Sequence, residues 1–382
     1  MGSNQHGQLG LDAPFEEGNL PLKKQLPCLI ERLQSHFIVD VQAGNDHCLA
    51  LAEEGDKVFA WGQGKFGALG LSRSQNMKSP VELELPASQK VTLIAAGARH
   101  SALVTRDNGL YMFGLALHGQ LGLGGDCTDR AFKPERVDLG GKHRVDQVAL
   151  GDSHSLVLTT EGYLLSTGAN DKYQLGVNPD KRSLKLFNFT KIKNFKTGEQ
   201  ANKNLTDQDV KFKKIFCWNL NAAIDDMDRV YLWGILHDKQ VKQSLCIKVP
   251  ERVNSFSVST AAIGPTMAML VDKDSQQPCV IGVNAKGELG LGDVEQRKTF
   301  CILNELRDKK IRQAAVGRAG FVIALADQVV EPEDNRFDLN NTLAKGTLQN
   351  PSLEEMKPEK DLSGTGSQLA HRESAQTISA TD

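Results

Sequence analysis

The sequence has no pair of neighbouring cysteines and no hydrophobic run of transmembrane length. Its seven cysteines stand singly along 382 residues, and an odd, scattered set favours reduced thiols in an intracellular compartment over a disulfide framework. The amino terminus lacks the apolar segment of a secretory signal peptide. N-myristoylation is not expected after Met1-Gly2, because His6 stands where Ser or Thr is required. These absences favour a soluble protein of the cytoplasm or the nucleus.

An excess of one charge sign is also lacking. The net charge of −2 at pH 7 argues against a protein that coats nucleic acid through electrostatic attraction. The sequence contains no H-E-x-x-H, P-loop, G-x-S-x-G or clustered Cys/His motif. We therefore expect no metal, no cofactor and no covalent catalysis.

Glycine, by contrast, is abundant, with 35 residues, and one group of glycines has the spacing of a nucleotide-binding motif. Gly62, Gly64 and Gly67 form G-x-G-x-x-G after a strand-like run, and Glu82 follows at the distance of a ribose-binding acid. Such a motif must open a helix, but the residues after Leu71, SRSQNMKSP, are turn formers. The missing helix argues against a dinucleotide site.

These glycines belong instead to a repeated ten-residue segment, the frame, with the pattern G-x-x-x-x-G-x-L-G-L. It occurs as GSNQHGQLGL, GQGKFGALGL, GLALHGQLGL, GANDKYQLGV and GVNAKGELGL, beginning at residues 2, 62, 114, 168 and 282. Gly64 has no glycine counterpart in the other copies, whereas Tyr173 replaces a repeated glycine. The frame leucines are expected to fill the core: Leu9, Leu69, Leu121, Leu175 and Leu289.

Each frame lies within a unit of four short β-prone runs. Two runs flank a Gly-centred turn, as in VTLIAAGARHSALV from residue 91, and a third ends on the first frame glycine, as in VFAWG. A fourth run follows the frame, as in PVELEL (80–85), PERVDL (134–139) and LFNFTKI (186–192). Four meandering strands of this kind form one propeller blade. The sequence therefore predicts an all-β propeller.

The motifs G-x-x-H-S-x-x-L and W-G-x-N-x-x-G-Q-L-G-L resemble those of the regulator of chromosome condensation repeat family, from residue 1 to about 328. The resemblance implies an RCC1-type β-propeller over residues 1–330, in which the two ends of the chain complete one blade together. The family's propeller has seven blades, whereas this sequence has six inner-strand pairs and six frame glycines. The unit around Gly234 is eroded, with Trp218 in place of its turn glycine. A six-bladed ring and a ring with one blade absent from this chain both stay open.

The turn between the two inner strands of each unit should open on one rim of the ring. Three consecutive units carry Asn45-Asp46-His47, Ala98-Arg99-His100 and Asp152-Ser153-His154; the next three carry Asn219-Leu220-Asn221, Pro265-Thr266-Met267 and Arg318-Ala319-Gly320. The polar arc gives six candidate partner-binding residues: Asp46, His47, Arg99, His100, Asp152 and His154. For the histidines, a buried ring bonded to a carbonyl of its own blade is the favoured interpretation, because it explains the repetition without a ligand.

The resemblance implies two functions. The first is protein–protein recognition, as a scaffold, adaptor or regulator of a small GTPase or of a larger assembly. The alternative is guanine-nucleotide exchange on a Ras-superfamily (Ran-like) GTPase, because exchange-active members use acidic residues at the motif position of Asp46 and Asp152. No counterpart of their protruding β-wedge is recognisable, and the first frame carries Gln5 and His6 but no acid. We therefore predict a monomer that binds a protein partner, with exchange as the only enzymatic activity in question.

Two segments lie outside the repeat pattern. Residues 178–214 carry ten Lys/Arg against four acids, a net charge of +6, with an insertion at about 194–208. Four of these lysines could bind an acidic partner: Lys191, Lys193, Lys196 and Lys203. A solvated loop also explains them. Residues 327–382 carry eleven acids and five Lys/Arg, a net charge of −6, and we expect residues 331–382 to form a disordered acidic tail.

Overall fold

The computed structural model describes residues 2–11, 23–24, 26–85, 89–127, 129–141, 143–177, 184–193, 195, 210–237, 244–306, 309–316 and 322–327. In these ranges the chain forms antiparallel β-strands, numbered β1 to β23, and two short 3-10 helices at Glu31–Leu33 and Asn304–Leu306. No helix within these ranges is long and apolar enough to cross a membrane.

Three complete blades follow one another, each a four-stranded sheet with its strands in chain order. Blade 1 contains β3 (Ile38–Ala43), β4 (His47–Ala52), β5 (Val58–Gly62) and β6 (Met77–Glu82). Blade 2 contains β7 (Val91–Ala96), β8 (His100–Thr105), β9 (Leu110–Leu115) and β10 (Arg130–Arg136). Blade 3 contains β11 (Val145–Leu150), β12 (His154–Thr159), β13 (Leu164–Ala169) and β14 (Lys185–Lys191). These sheets confirm the predicted four-stranded unit.

Blades 4 and 5 are joined in one seven-stranded sheet by the long strand β18 (Ser244–Ile263). The first part of β18 pairs with β17 and its second part pairs with β19. Blade 4 also contains β15 (Phe212–Cys217), β16 (Leu220–Asp225) and β17 (Arg229–His237). Blade 5 continues with β19 (Met267–Asp272), β20 (Pro278–Gly282) and β21 (Arg297–Ile302). The sequence did not predict this fusion, in which one continuous strand serves two neighbouring blades.

Two hairpins form separate two-stranded sheets: β1 (Gly2–Ser3) with β2 (Lys23–Lys24), and β22 (Lys310–Val316) with β23 (Val322–Asp327). Gly2 pairs with Lys24 as Gly62 pairs with Met77, so β1 and β2 correspond to the outer half of a blade. The register of β22 and β23 matches that of the two inner strands of the complete blades. The described residues therefore contain the six inner-strand pairs that the sequence predicted.

The predicted closure of the ring, with both ends of the chain in one blade, is not seen among the described strands. There, β1 and β2 belong to one sheet and β22 and β23 to another. On β3, Val41 is 55% exposed, whereas Ile94 and Ala261, which occupy its position in blades 2 and 5, are each 2% exposed. The inner part of blade 1 is therefore not covered as the other blades are. The shared closing blade stays a prediction.

The hydrophobic core lies between the blades. Successive side chains of a strand point to opposite faces, and a strand enclosed by blades on both sides is buried at every position, as in β8, β12 and β16. Leu49 and Leu51 of blade 1, for example, share one cluster with Leu103 and Phe113 of blade 2. Of the predicted core leucines, Leu9 is half-buried. The other four are at most 1% exposed: Leu69, Leu121, Leu175 and Leu289.

The outer strands begin earlier than the sequence predicted. Met77 of β6 already pairs with Gly62, and Ala131 of β10 already pairs with Gly114. Pairing therefore starts at the frame glycine, and Pro80 and Pro134 lie inside the strands. Proline is tolerated there because an outer strand has a free edge that needs no N–H donor.

The sixth frame residue contacts the outer strand of the next blade. Gly67 has a φ of +82°, and a Cβ there would lie 2.6 Å from the carbonyl oxygen of Ala131 in β10. Tyr173 takes the equivalent position in blade 3 with a φ of +61°. This left-handed conformation costs a non-glycine residue about 1–2 kcal/mol. The substitution seen in the sequence is therefore a strained one, at the boundary with the eroded blade 4.

Three sequence predictions fall outside the described residues. They are the acidic tail at 331–382, the insertion at about 194–208 apart from Phe195, and the sixth rim turn at 318–320.

Candidate interaction rim

The rim turns, which connect the first and second strands of each blade, lie beside the frames on one edge of the propeller. The backbone N–H of Gln63 donates to Asp46 O at 2.7 Å, and that of Leu115 donates to Arg99 O at 2.9 Å. In blade 3 the N–H of Ala169 donates to Ser153 O at 2.9 Å. Each frame is therefore fixed to the rim turn of its own blade. The two elements together form the surface on which the candidate residues lie.

The three histidines are buried below this surface. His47 is 2% exposed, and His100 and His154 are 0% exposed. They begin the second strands β4, β8 and β12, and each pairs with the first glycine of its own frame. Their side chains cannot contact a partner on the rim. The buried role that the sequence favoured is the one the geometry shows.

Each histidine bonds to the next blade, not to a carbonyl of its own blade as the sequence analysis expected. His47 Nε2 lies 2.9 Å from Ser101 Oγ, and His100 Nε2 lies 2.9 Å from Ser155 Oγ. His154 Nε2 lies 2.8 Å from Asn221 Oδ1. We call each such bond a latch, since it joins two blades through one buried imidazole. The strand pairing shows that each accepting residue, in its own blade, directly follows the position that a histidine occupies in blades 1 to 3.

The acceptor side chains fix the tautomer of the rings. Ser101 Oγ donates its hydrogen to Ala68 O at 2.7 Å, and Ser155 Oγ donates to Gln120 O at 2.6 Å. A hydroxyl that gives its only hydrogen to a carbonyl can only accept from the imidazole. The rings of His47 and His100 therefore carry a proton on Nε2. Asn221 imposes the same tautomer on His154, because its Oδ1 accepts while its Nδ2 donates to Gln174 O at 2.9 Å.

A glycine three residues before each histidine leaves room for the ring. A Cβ on Gly97 would lie 2.6 Å from Cε1 of His100, and a Cβ on Gly151 would lie 2.5 Å from Cε1 of His154. Both values are shorter than side-chain contacts allow. The spacing G-x-x-H is thus a packing requirement: the glycine and the buried histidine occur together because one makes space for the other.

Burial lowers the pKa of all three histidines. Desolvation lowers the pKa of His47 and His154 to about 4 and that of His100 to about 3. In addition, Nδ1 of His100 and of His154 has no hydrogen-bond partner in the described residues, so a protonated ring would place a buried N–H without an acceptor. The latches therefore act in their neutral form throughout the physiological range.

The latches end at blade 4. Leu220 takes the histidine position there, because it pairs with Gly234 as His154 pairs with Gly168. The comparison of the repeats within the sequence assigns Asn221 to that position. This assignment is wrong by one residue, because the rim turn of blade 4 is one residue shorter than the others. In blade 5 the position is held by Met267. The polar arc and the latches thus cover the same blades, 1 to 3.

Two of the charged candidates contact the frame of the preceding unit. Asp46 is half-buried, and Gln8 Nε2 lies 3.4 Å from its Oδ1. Arg99 is exposed, with its guanidinium carbon 4.8 Å from the centre of the Phe66 ring. Asp152 is half-buried in blade 3 and lies one residue earlier in its turn than Asp46 and Arg99 do in theirs. The structure therefore places these three charges on one rim, on three consecutive blades.

The basic segment is only partly described. Lys191 Nζ lies 3.4 Å from the centre of the Tyr163 ring, and Lys211 Nζ lies 3.5 Å from the same centre. Lys193 is exposed, whereas Lys196 and Lys203 lie outside the described residues. Lys191 is thus held in a cation–π contact within blade 3. The four lysines stay a candidate surface.

Sequence reasoning missed the residues that accept the latches. Ser101 and Ser155 were visible in the G-x-x-H-S motif but were given no role. Their signal was the pairing itself: a buried histidine followed by a small hydroxyl residue in each of two neighbouring units. Asn221 gave no such signal, because the shorter rim turn displaced it from the motif. In the described residues no group of three or more His, Cys, Asp or Glu could hold a metal ion.

Comparison with known proteins agrees with the geometry. The regulator of chromosome condensation (RCC1) repeat model matches residues 1–51, 56–104 and 107–158, and a second model of the same repeat matches 38–68, 91–120 and 145–174. Among solved structures, human WBSCR16 is similar, with a TM-score of 0.67 and 21% identity over 86% of this chain and 81% of that chain. This similarity concerns the fold.

Two curated relatives differ widely in size and in name. The E3 ubiquitin-protein ligase HERC2 of Homo sapiens is 30% identical over 340 residues, covering 87% of this chain and 6% of HERC2. The guanine nucleotide exchange factor SRM1 of Saccharomyces cerevisiae is 33% identical over 169 residues, covering 44% of this chain and 35% of SRM1. The chain thus spans only a minor part of both relatives. With its matched repeats, four-stranded blades and frame glycines, the chain belongs to the regulator of chromosome condensation (RCC1) repeat family.

Proposed function

We propose that this chain is a protein-interaction propeller whose rim, formed by the rim turns of blades 1 to 3, docks a protein partner. One observation carries the proposal: the exposed Arg99 and the partly buried Asp46 and Asp152 lie on the same rim of three consecutive blades. They alternate in sign. A partner with the opposite alternation would match them, and complementary charges of this kind set specificity and association rate.

The latches support this role because they hold the rim in place. Each charged residue precedes a buried histidine by one or two positions, and the histidine is bonded to the following blade. Contacts of Asp46 with Gln8 and of Arg99 with Phe66 restrict the side chains further. A surface that is rigid before binding loses less conformational entropy when a partner docks. The rim turns of blades 4 and 5 have no latch, and they therefore lack this preorganisation.

The relatives support recognition as the function that the fold serves. The similar proteins include one named as a ubiquitin ligase and one named as a nucleotide exchange factor. Since proteins named for such different activities contain similar repeats, the repeats themselves are better explained as a platform for protein contacts. The partner is a small GTPase or a component of a larger intracellular assembly. This chain is then a regulator or adaptor without covalent chemistry.

Guanine-nucleotide exchange is the second candidate, and the acidic rim residues favour it. Asp46 and Asp152 are partly buried carboxylates in the rim turns, and SRM1 is named as an exchange factor. An exchange factor stabilises the nucleotide-free GTPase by differential binding and makes no covalent bond. The first frame, however, presents Gln5 and His6 on the rim and no acid.

Binding by rim variants tests the proposal. Combined Asp46→Ala, Arg99→Ala and Asp152→Ala should weaken partner binding about tenfold or more, because interface charges that lose their partners cost on the order of 1–3 kcal/mol each. The matched control is Glu53→Ala, Arg106→Ala and Asp226→Ala. It removes the same charges from exposed residues in the turns between second and third strands, on the opposite rim.

The measurement is quantitative affinity capture, followed by titration of the captured partner. Capture by the wild type and the control, but not by the rim variant, is the expected result. Equal binding by all three proteins would exclude this rim as the docking surface. Faster release of labelled GDP from a captured GTPase would replace the adaptor hypothesis by nucleotide exchange.

A further inference from the structure

We propose that the central channel of the propeller contains a second site, which binds a small phosphate-bearing anion with an apolar body. The first strands of neighbouring blades contact one another around the channel. Between the first strands of blades 3, 4 and 5 and the hairpin strand β22 lies a cleft of 530 Å³. A cleft of this size is in the range of small-molecule sites. It is separate from the rim that carries the proposed docking function.

Two cations line the cleft. Lys214 of β15 and Arg312 of β22 both contribute to its wall and both are exposed. At the position of Lys214, blades 1, 2, 3 and 5 carry Asp40, Leu93, Gln147 and Thr260 respectively. The positive side of the channel is therefore a feature of blade 4 and its surroundings. An ammonium group and a guanidinium fork are the side chains that proteins use most to bind phosphate.

The cleft wall is held by bonds between blades. Lys214 Nζ donates to Ser259 O at 3.2 Å, which sets its position and leaves two ammonium hydrogens for a ligand. Gln147 spans the boundary between blades 3 and 4, since its Nε2 donates to Lys213 O at 2.8 Å and its Oε1 accepts from Ile215 N at 3.1 Å. The polar part of the site is therefore largely preformed.

Charged side chains of both signs lie near the cleft. Asp146 is exposed on β11, and its carboxylate accepts from Gln147 Nε2 at 3.3 Å. Lys213 is paired with Asp228, which also binds Lys273 and has a lowered pKa through these hydrogen bonds. Asp146 thus stands near the two lining cations, Lys214 and Arg312. Four of the other lining residues are apolar: Ile215, Phe216, Ala261 and Ala314. This lining favours a ligand that joins an anionic group to a hydrophobic one.

Titration with phenyl phosphate tests the site, and orthophosphate serves as the comparison. By isothermal calorimetry at low ionic strength, phenyl phosphate should bind saturably at one site per chain, about threefold or more tighter than orthophosphate because of its buried ring. Lys214→Gln and Arg312→Gln should each weaken binding about fivefold or more, and added NaCl should weaken it further. Lys286→Gln, an exposed frame lysine of blade 5, is the matched control and should bind like the wild type.

Thermal melting of each variant shows whether it is folded. If a Gln variant fails to fold, Thr260→Glu, which adds a negative charge to the same wall, replaces it and should abolish binding. The proposal is overturned by an absence of saturable binding to the wild type. It is equally overturned by folded cleft variants that bind phenyl phosphate as tightly as Lys286→Gln does.

Discussion

Replacing His100 with alanine should lower the free energy of unfolding by about 3 kcal/mol or more. The change removes a fully buried ring and its 2.9 Å bond to Ser155. It also leaves a cavity between blades 2 and 3. Loss of a buried hydrogen bond with an unsatisfied partner costs about 1–3 kcal/mol, and the cavity adds to it. Urea unfolding at pH 7.5, monitored by tryptophan fluorescence, measures the effect.

Arg99→Ala is the control for this variant, since it changes the adjacent residue on the exposed side of the same turn. Its free energy of unfolding should stay within about 0.5 kcal/mol of the wild-type value, because surface substitutions away from buried networks have small effects. Partner binding should respond in the opposite order: Arg99→Ala should weaken it at conditions where both proteins are folded. Equal midpoints for the two variants would show that His100 does not hold the blades together.

Mild acid should destabilise the propeller steeply. The three latch histidines stay neutral in the folded protein down to pH values of about 4, 3 and 4, whereas in the unfolded chain they bind protons near pH 6.5. Below that pH the unfolded state takes up more protons, so the free energy of unfolding falls as pH falls. The stabilisation is fully present above about pH 7 and is lost between about pH 6.5 and 4.

The expected slope follows from the number of histidines. Each contributes about 1.4 kcal/mol per pH unit in this window, or about 4 kcal/mol per unit for the three. Urea midpoints at pH 7.0, 6.0 and 5.0 measure the slope above the range in which most carboxylates titrate. His100→Gln keeps a side chain that can donate a hydrogen bond but does not titrate, and it should reduce the slope by about one third. An unchanged slope in that variant would assign the acid sensitivity to other groups.

The repeated glycines made the blades predictable. They mark positions where the backbone needs a positive φ or a close approach between blades, as at Gly67, and such positions recur once per unit. The strand order within blades 1 to 3 and four of the five core leucines could therefore be predicted before any coordinates were known. The buried role of the histidines was also predictable, because repetition alone favours a structural function.

What could not be predicted depends on contacts between units. A latch joins His100 to Ser155, 55 residues later, and nothing in the local pattern distinguishes a bond within a blade from a bond to the next one. The short turn at Trp218-Asn219 moved Leu220 into the histidine position, and only the strand register showed it. The channel cleft joins side chains from blades 3, 4 and 5 and from β22, none of which shares a motif with the others.

The central claim is that the rim histidines act between blades, beneath the surface that we propose binds the partner. A double-mutant cycle of His100→Ala and Ser155→Ala tests it most directly, with His100→Ala and Asn221→Ala as the control pair, because Asn221 accepts a different latch. We expect a coupling energy of about 1 kcal/mol or more for the first pair and below about 0.5 kcal/mol for the control. Additive effects of His100 and Ser155 would contradict the account.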